Sequence, residues 1–204
     1  VVDYMQRVRA GAMRMEHFIE DLLAYSQLTG NEQFSTVDLN TVLGNVRIDL
    51  ENAITESRAT LEAEWLPTVL GNPTQLGQLF SNLISNSIKY SKPDVPPRIR
   101  IACSKQPAKN GASEMWEIVF SDNGIGFENI YAEQVFSVFR RLHDKEAYQG
   151  TGIGLAICRK VAHRHGGEIF ASGELGKGAR FTVQLPIARV ERRVARRDLG
   201  DAAP

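Results

Sequence analysis

Three residues with metal and phosphate chemistry share one side of a candidate helix beginning at Pro73. At 100° per residue, Asn82, Asn86 and Lys89 fall within about 60° of arc. Leu76, Leu79, Phe80, Leu83, Ile84 and Ile88 fill the other side. An amide oxygen is a hard ligand suited to Mg²⁺, and an ammonium neutralises phosphate charge. The bland alternative is a solvated polar face.

A second cluster is Asp122-Asn123-Gly124-Ile125-Gly126, directly after the apolar run Ile118-Val119-Phe120. A carboxylate at a strand end, followed by two glycines, sets an acceptor beside open backbone. Such an acceptor can take an exocyclic amine. An ordinary Asp-Asn-Gly turn is the alternative. The third cluster, Gly150-Thr151-Gly152-Ile153-Gly154, opens into Leu155-Ala156-Ile157. A glycine turn at a helix start offers free N–H groups and a positive dipole end to phosphate. It is not a Walker loop, since no Gly-Lys-Ser/Thr follows, and the polar stretch before it is not the strand a dinucleotide fingerprint needs. Between these clusters, residues 135–143 pair Phe136 and Phe139 with Arg140 and Arg141 and run into a polar segment. That composition suits a lid with apolar anchors and cationic heads; for Phe136 the spacing favours core packing.

The elements that must position these residues follow from periodicity. Residues 4–27 read as a helix with Met5, Val8, Ala12, Met15, Ile19 and Leu22 at alternating 3–4 spacing, a seam for another helix or the inner face of a lone amphipathic one. Residues 34–38 read as a short strand, 40–57 as a helix, and 59–64 and 68–70 as strands. Asn72, Pro73 and Gln75 form a helix start, and the helix runs to about residue 91. Strands are expected at 98–105 and 114–121, joined by a hairpin loop. A helix follows at 152–165, then a hairpin of 168–172 with 179–185. Together these predict an α+β chain: a two-layer α/β sandwich preceded by one long helix.

Composition narrows the class. The chain has 204 residues, 43% hydrophobic, with 24 basic and 24 acidic side chains. Its basic residues are spread out except for one C-terminal cluster, a poor footprint for nucleic acid. Cys103 and Cys158 make neither a disulfide framework nor a CxxC pair, which suits a reducing compartment. No apolar run approaches membrane-spanning length, so no membrane contact and a cytoplasmic setting are expected.

The order Asn82-x-x-x-Asn86-x-x-Lys89-Tyr90, Asp122-x-Gly124-x-Gly126, Phe136-x-x-Phe139 and Gly150-Thr151-Gly152-x-Gly154-Leu155 resembles the N, G1, F and G2 boxes of sensor histidine kinases, especially the phytochrome-type and related soluble ones. Residues 1–30 resemble the second helix of their dimerisation and phosphotransfer hairpin. The resemblance implies a Bergerat-type (GHKL) ATP-binding catalytic domain over 34–188, then a tail at 189–204. It implies ATP and Mg²⁺ as cofactors, with Asn86 as metal ligand and Asn82 as its companion. Lys89 and Tyr90 would touch phosphate and ribose, and Asp122 the adenine amine, in a pocket shaped by Gly124 and Gly126. Gly150, Thr151, Gly152, Gly154 and Leu155 would form the lid-side cradle, and either Arg140 or Arg141 would reach the γ-phosphate. Its implied partners are a second copy, through the hairpin, and a response regulator receiver domain.

Two departures stand out. The family's acceptor histidine sits in a His-Glu/Asp-x-x-Pro context, which none of His17, His143, His163 and His165 has. The chain is therefore expected to be a piece that lacks its acceptor. Ala179 stands where many relatives have Thr. The related conformational ATPases carry Glu at the position of Asn82, which counts against that reading. A non-catalytic dimerisation module would not need Asn86, Lys89, Asp122 and the glycines together.

Overall fold

The computed structural model describes residues 2–27, 33–107, 114–140 and 151–187. The chain runs α1 (Val2–Gln27), β1 (Ser35–Asp38), α2 (Leu39–Asp49), α3 (Glu51–Ser57), β2 (Thr60–Ala63), β3 (Thr68–Gly71) and α4 (Pro73–Lys89). It continues through β4 (Arg98–Gln106), β5 (Met115–Asp122), two single 3₁₀ turns (Asn129–Tyr131 and Gln134–Phe136), α5 (Gly154–Arg164), β6 (Glu168–Glu174) and β7 (Gly178–Pro186).

Alternation of apolar residues in the strands builds one five-stranded sheet, ordered β2-β4-β5-β7-β6. β2 runs parallel to β4 and the other neighbours are antiparallel. One face carries Ile99, Ile101, Ile118, Phe120, Ile169, Phe181, Val183 and Leu185, all buried. Against it pack α2, α4 and α5, whose apolar stripes are buried too. The Phe80 ring meets Phe120 edge-on, centroids 5.0 Å apart, which ties α4 to the middle strand. Truncating such a buried ring costs about 3–5 kcal/mol. β1 and β3 form a separate antiparallel pair. The expected two-layer α/β sandwich is present.

The helix expected over 40–57 is instead two helices. Leu50 leaves helical geometry (φ −99°, ψ 9°), and its side chain packs on the core. α2 buries Leu39, Val42, Leu43 and Val46, whereas α3 buries none of its residues. Without a continuing apolar stripe, nothing holds the second segment on the axis of the first. Likewise α5 begins at Gly154, two residues later than expected, because Gly152 has φ +75°.

Among the described residues, α1 meets the sandwich through Tyr25 and Phe18. The Lys160 ammonium on α5 donates to the Tyr25 carbonyl (2.7 Å) and lies 4.4 Å from the Tyr25 ring centroid. Phe18 stacks on Phe139 with centroids 5.8 Å apart. The seam residues Met5, Val8, Met15, Ile19 and Leu22 stay exposed. No helix among the described residues is long and apolar enough to cross a membrane.

Candidate functional site

α4 is the element that aims the polar arc. Its start is fixed as the sequence predicts: Asn72 accepts the Gln75 N–H (3.0 Å), and Pro73 takes the first helical position. With Leu76, Leu79, Phe80, Leu83 and Ile84 fully buried, the opposite side is left free for chemistry. Asn86 lines a cavity that opens to solvent at its mouth. Tyr90, Asp122, Gly126, Phe127, Val135, Arg140, Leu155, Ala179 and Phe181 complete the wall.

Asp122 ends β5 and is held by three donors. Its Oδ1 accepts the N–H of Gly124 (2.9 Å) and of Ala179 (3.1 Å), while Oδ2 accepts the Ser87 hydroxyl (3.2 Å). Burial pushes the carboxyl above its ordinary value, and the three hydrogen bonds pull it back. The main chain of Ala179 thus serves the carboxylate, whatever its side chain lacks.

The two glycines after Asp122 are steric requirements. A Cβ on Gly124 would run into the Tyr90 carbonyl, which already accepts the Ile125 N–H (2.9 Å). Gly126 has φ +64°, and a Cβ there would strike the Glu174 carbonyl. An L side chain strongly disfavours that φ as well. The turn therefore lies against the end of α4 and the β6–β7 hairpin, which brings Asp122 and Asn86 to one cavity.

The remaining sequence-predicted residues fall into three groups. Tyr90, Gly126, Arg140 and Leu155 line the cavity with Asn86 and Asp122. Asn82 and Lys89 do not line it. The Asn82 amide donates to the Gly154 carbonyl (3.1 Å) and accepts from Gln78 (3.2 Å), so it ties α4 to the first turn of α5. The Lys89 ammonium lies 4.6 Å from the Tyr90 ring centroid. Thr151 accepts the Ile153 N–H (3.3 Å), and the Gly152 carbonyl accepts the Phe139 N–H (3.0 Å). Arg141 and Gly150, with most of the lid expected over 140–149, lie outside the described residues. Phe136 is buried in the core, with the Arg159 guanidinium 4.2 Å above its ring.

Sequence reasoning missed Ser87 as a partner of Asp122 and Phe127 and Phe181 as cavity residues, and placed Val135 only within the lid segment. Ser87 carried a signal: at 100° per residue it sits amid the apolar arc of α4, about 20° from Leu76. A lone hydroxyl there needs a partner. Phe127 and Phe181 carried none, since each reads as core.

A cavity with apolar aromatic walls, one half-buried carboxylate acceptor, an amide and a guanidinium can seat a flat heterocycle bearing an N–H donor and an anionic group. Residues 71–189 match the family described as histidine kinase-, DNA gyrase B-, and HSP90-like ATPase. Cyanobacterial phytochrome A of Nostoc sp. (strain PCC 7120 / SAG 25.82 / UTEX 2576) is 36% identical over 183 residues, 89% of this chain. This chain spans 23% of that relative's own length. Full-length ShkA in complex with AMPPNP aligns with a TM-score of 0.71 at 23% identity, covering 91% of this chain and 38% of that one. Histidine kinase ThkA in complex with response regulator protein TrrA aligns with a TM-score of 0.65 at 22% identity, covering 90% and 50%. At those identities the two structures speak for the fold. With four motif clusters in order and a family match over more than half its length, this chain belongs to the histidine kinase-, DNA gyrase B- and HSP90-like ATPase family and carries the catalytic domain of its sensor histidine kinase branch.

Proposed function

We propose that this chain binds Mg·ATP in the cavity between α4 and β5 and transfers the γ-phosphoryl group to a histidine on a separate hairpin helix. The carrying observation is that Asp122 and Asn86 line one cavity, with one oxygen of Asp122 holding a single donor among the described residues. In this reading Asp122 accepts the adenine amine, and Phe127, Phe181, Leu155 and Ala179 sandwich the ring. Tyr90 lies by the ribose, and Arg140 meets phosphate. Gly152 and Gly154 lead into the N-terminus of α5, whose dipole favours the same charge.

The donor set fits Mg²⁺ carried in by the nucleotide. Among the described residues no three His, Cys, Asp or Glu side chains gather into a cluster that could hold a resident ion. Asn86 offers one hard oxygen, and Mg²⁺ commonly takes one or two protein ligands while keeping waters and substrate phosphates. When bound, it would neutralise charge on the phosphates. The chain's own part is to orient the nucleotide and supply cationic groups. Asn82 acts here as a positioning residue through Gly154, and Lys89 contributes charge at the end of α4.

The acceptor context is absent from His17, His143, His163 and His165. The exposed seam of α1 supports residues 1–30 as one helix of a dimerising hairpin, and a receiver domain is the onward acceptor. The test is incubation with γ-labelled ATP, with and without a matched histidine-bearing hairpin. Acid-labile label is expected on the hairpin only. Label on this chain alone, lost in His17→Gln, would overturn the assignment.

A further inference from the structure

Ser87 is buried, on the apolar side of α4, and its hydroxyl lies near two acceptors. The Leu83 carbonyl is 3.1 Å away and Asp122 Oδ2 is 3.2 Å away. A hydroxyl has one proton to donate. It can serve the carboxylate or the helix carbonyl, and the lengths favour neither. The carboxylate is the needier group, since hydrogen bonds to an ionised acceptor are roughly twice as strong as neutral ones. Oδ1 already takes the Gly124 and Ala179 N–H groups. Among the described residues, Ser87 is the one donor to Oδ2.

We propose that Ser87 is a specificity-determining residue of the base site: its hydroxyl keeps Asp122 Oδ2 an acceptor, so the cavity selects a purine bearing an exocyclic amine over one bearing an oxo group. This rests on the nucleotide reading above. With the Ser87 proton on Oδ2, the remaining lone pair of that oxygen is free for an amine N–H. An oxo group in its place would set lone pair against lone pair and leave a buried acceptor unpaired, the kind of mismatch on which polar discrimination depends. Without the hydroxyl, Oδ2 takes up a proton more readily and becomes a donor itself. A donor suits the oxo group, and the selectivity falls.

The test uses the whole chain and measures dissociation constants for ATP and inosine triphosphate, with Ser87→Ala and Ser87→Thr beside the unaltered protein. Alanine removes one oxygen and is the better helix former, so the helix is kept; melting temperatures check this. The unaltered chain is expected to prefer ATP. Ser87→Ala should narrow that preference about tenfold, the scale of one charge-assisted hydrogen bond, mainly by weakening ATP. Ser87→Thr, which keeps the hydroxyl, should restore most of it. Equal weakening of both nucleotides by Ser87→Ala, or no change, would overturn the role of Ser87 while leaving the nucleotide site standing. Failure of the unaltered chain to bind either nucleotide would overturn both.

Discussion

His165 Nε2 accepts the backbone N–H of Asn72 across 3.0 Å, and so ties the end of α5 to the cap of α4. Its Nδ1 lies 2.8 Å from the Val161 carbonyl, which requires the proton there. Phe34 stacks on the ring, centroids 4.6 Å apart. The histidine is therefore neutral, with both nitrogens engaged.

Burial holds the His165 ring below its ordinary value of 6.5. A depressed folded value means that the unfolded chain binds the proton first, so stability rises with pH across that interval. His165 should contribute fully above about pH 6.5 and lose that contribution as pH falls toward its folded value. Melting temperatures across pH 5 to 8 check this, with His165→Gln, which keeps an acceptor but cannot titrate, as the reference. Parallel curves for the two proteins would remove His165 as the source.

Asp122→Asn should weaken ATP more than inosine triphosphate. The substitution replaces an ionised acceptor, so the loss for ATP is about 1.5–3 kcal/mol, the scale of a charge-assisted hydrogen bond. Calorimetric titration of both nucleotides decides it. Equal losses would move the base elsewhere.

Gly126→Ala should destabilise the domain by more than about 1 kcal/mol, because the φ of +64° is strained for any L side chain and the Glu174 carbonyl blocks the Cβ. The denaturant midpoint measures this, and nucleotide affinity should fall with it. An unaltered midpoint would mean that the turn relaxes at little cost.

Charges on the α1 seam should reduce self-association without touching the cavity. Met15 and Ile19 are 67% and 53% exposed, so burying them is left to another helix. Met15→Glu with Ile19→Glu is expected to raise the dimer dissociation constant at least tenfold, roughly 1.4 kcal/mol. ATP affinity should stay the same. Sedimentation at several concentrations is the check, and unchanged association would place the contact off this seam.

Residue types and spacing were enough to bring Asn86, Asp122, Gly124 and Gly126 forward as candidates, because each meets a local demand. A ligand oxygen must sit on the polar side of a helix, and a turn without room for Cβ must be glycine. The same local physics set the Asn72 cap and the strands, since period and capping act within a few residues. Tertiary contacts decided the rest. Ser87 became a partner of Asp122 only when β5 packed on α4. Asn82, one turn from Asn86 on the same arc, was drawn to the Gly154 carbonyl by the approach of α5. The helix broke at Leu50 because the core accepts that side chain and offers no stripe beyond it. Phe127, Val135 and Phe181 became cavity wall for the same reason. An apolar residue's sequence says only that it will be buried, and which buried surface borders an opening depends on distant strands closing around it.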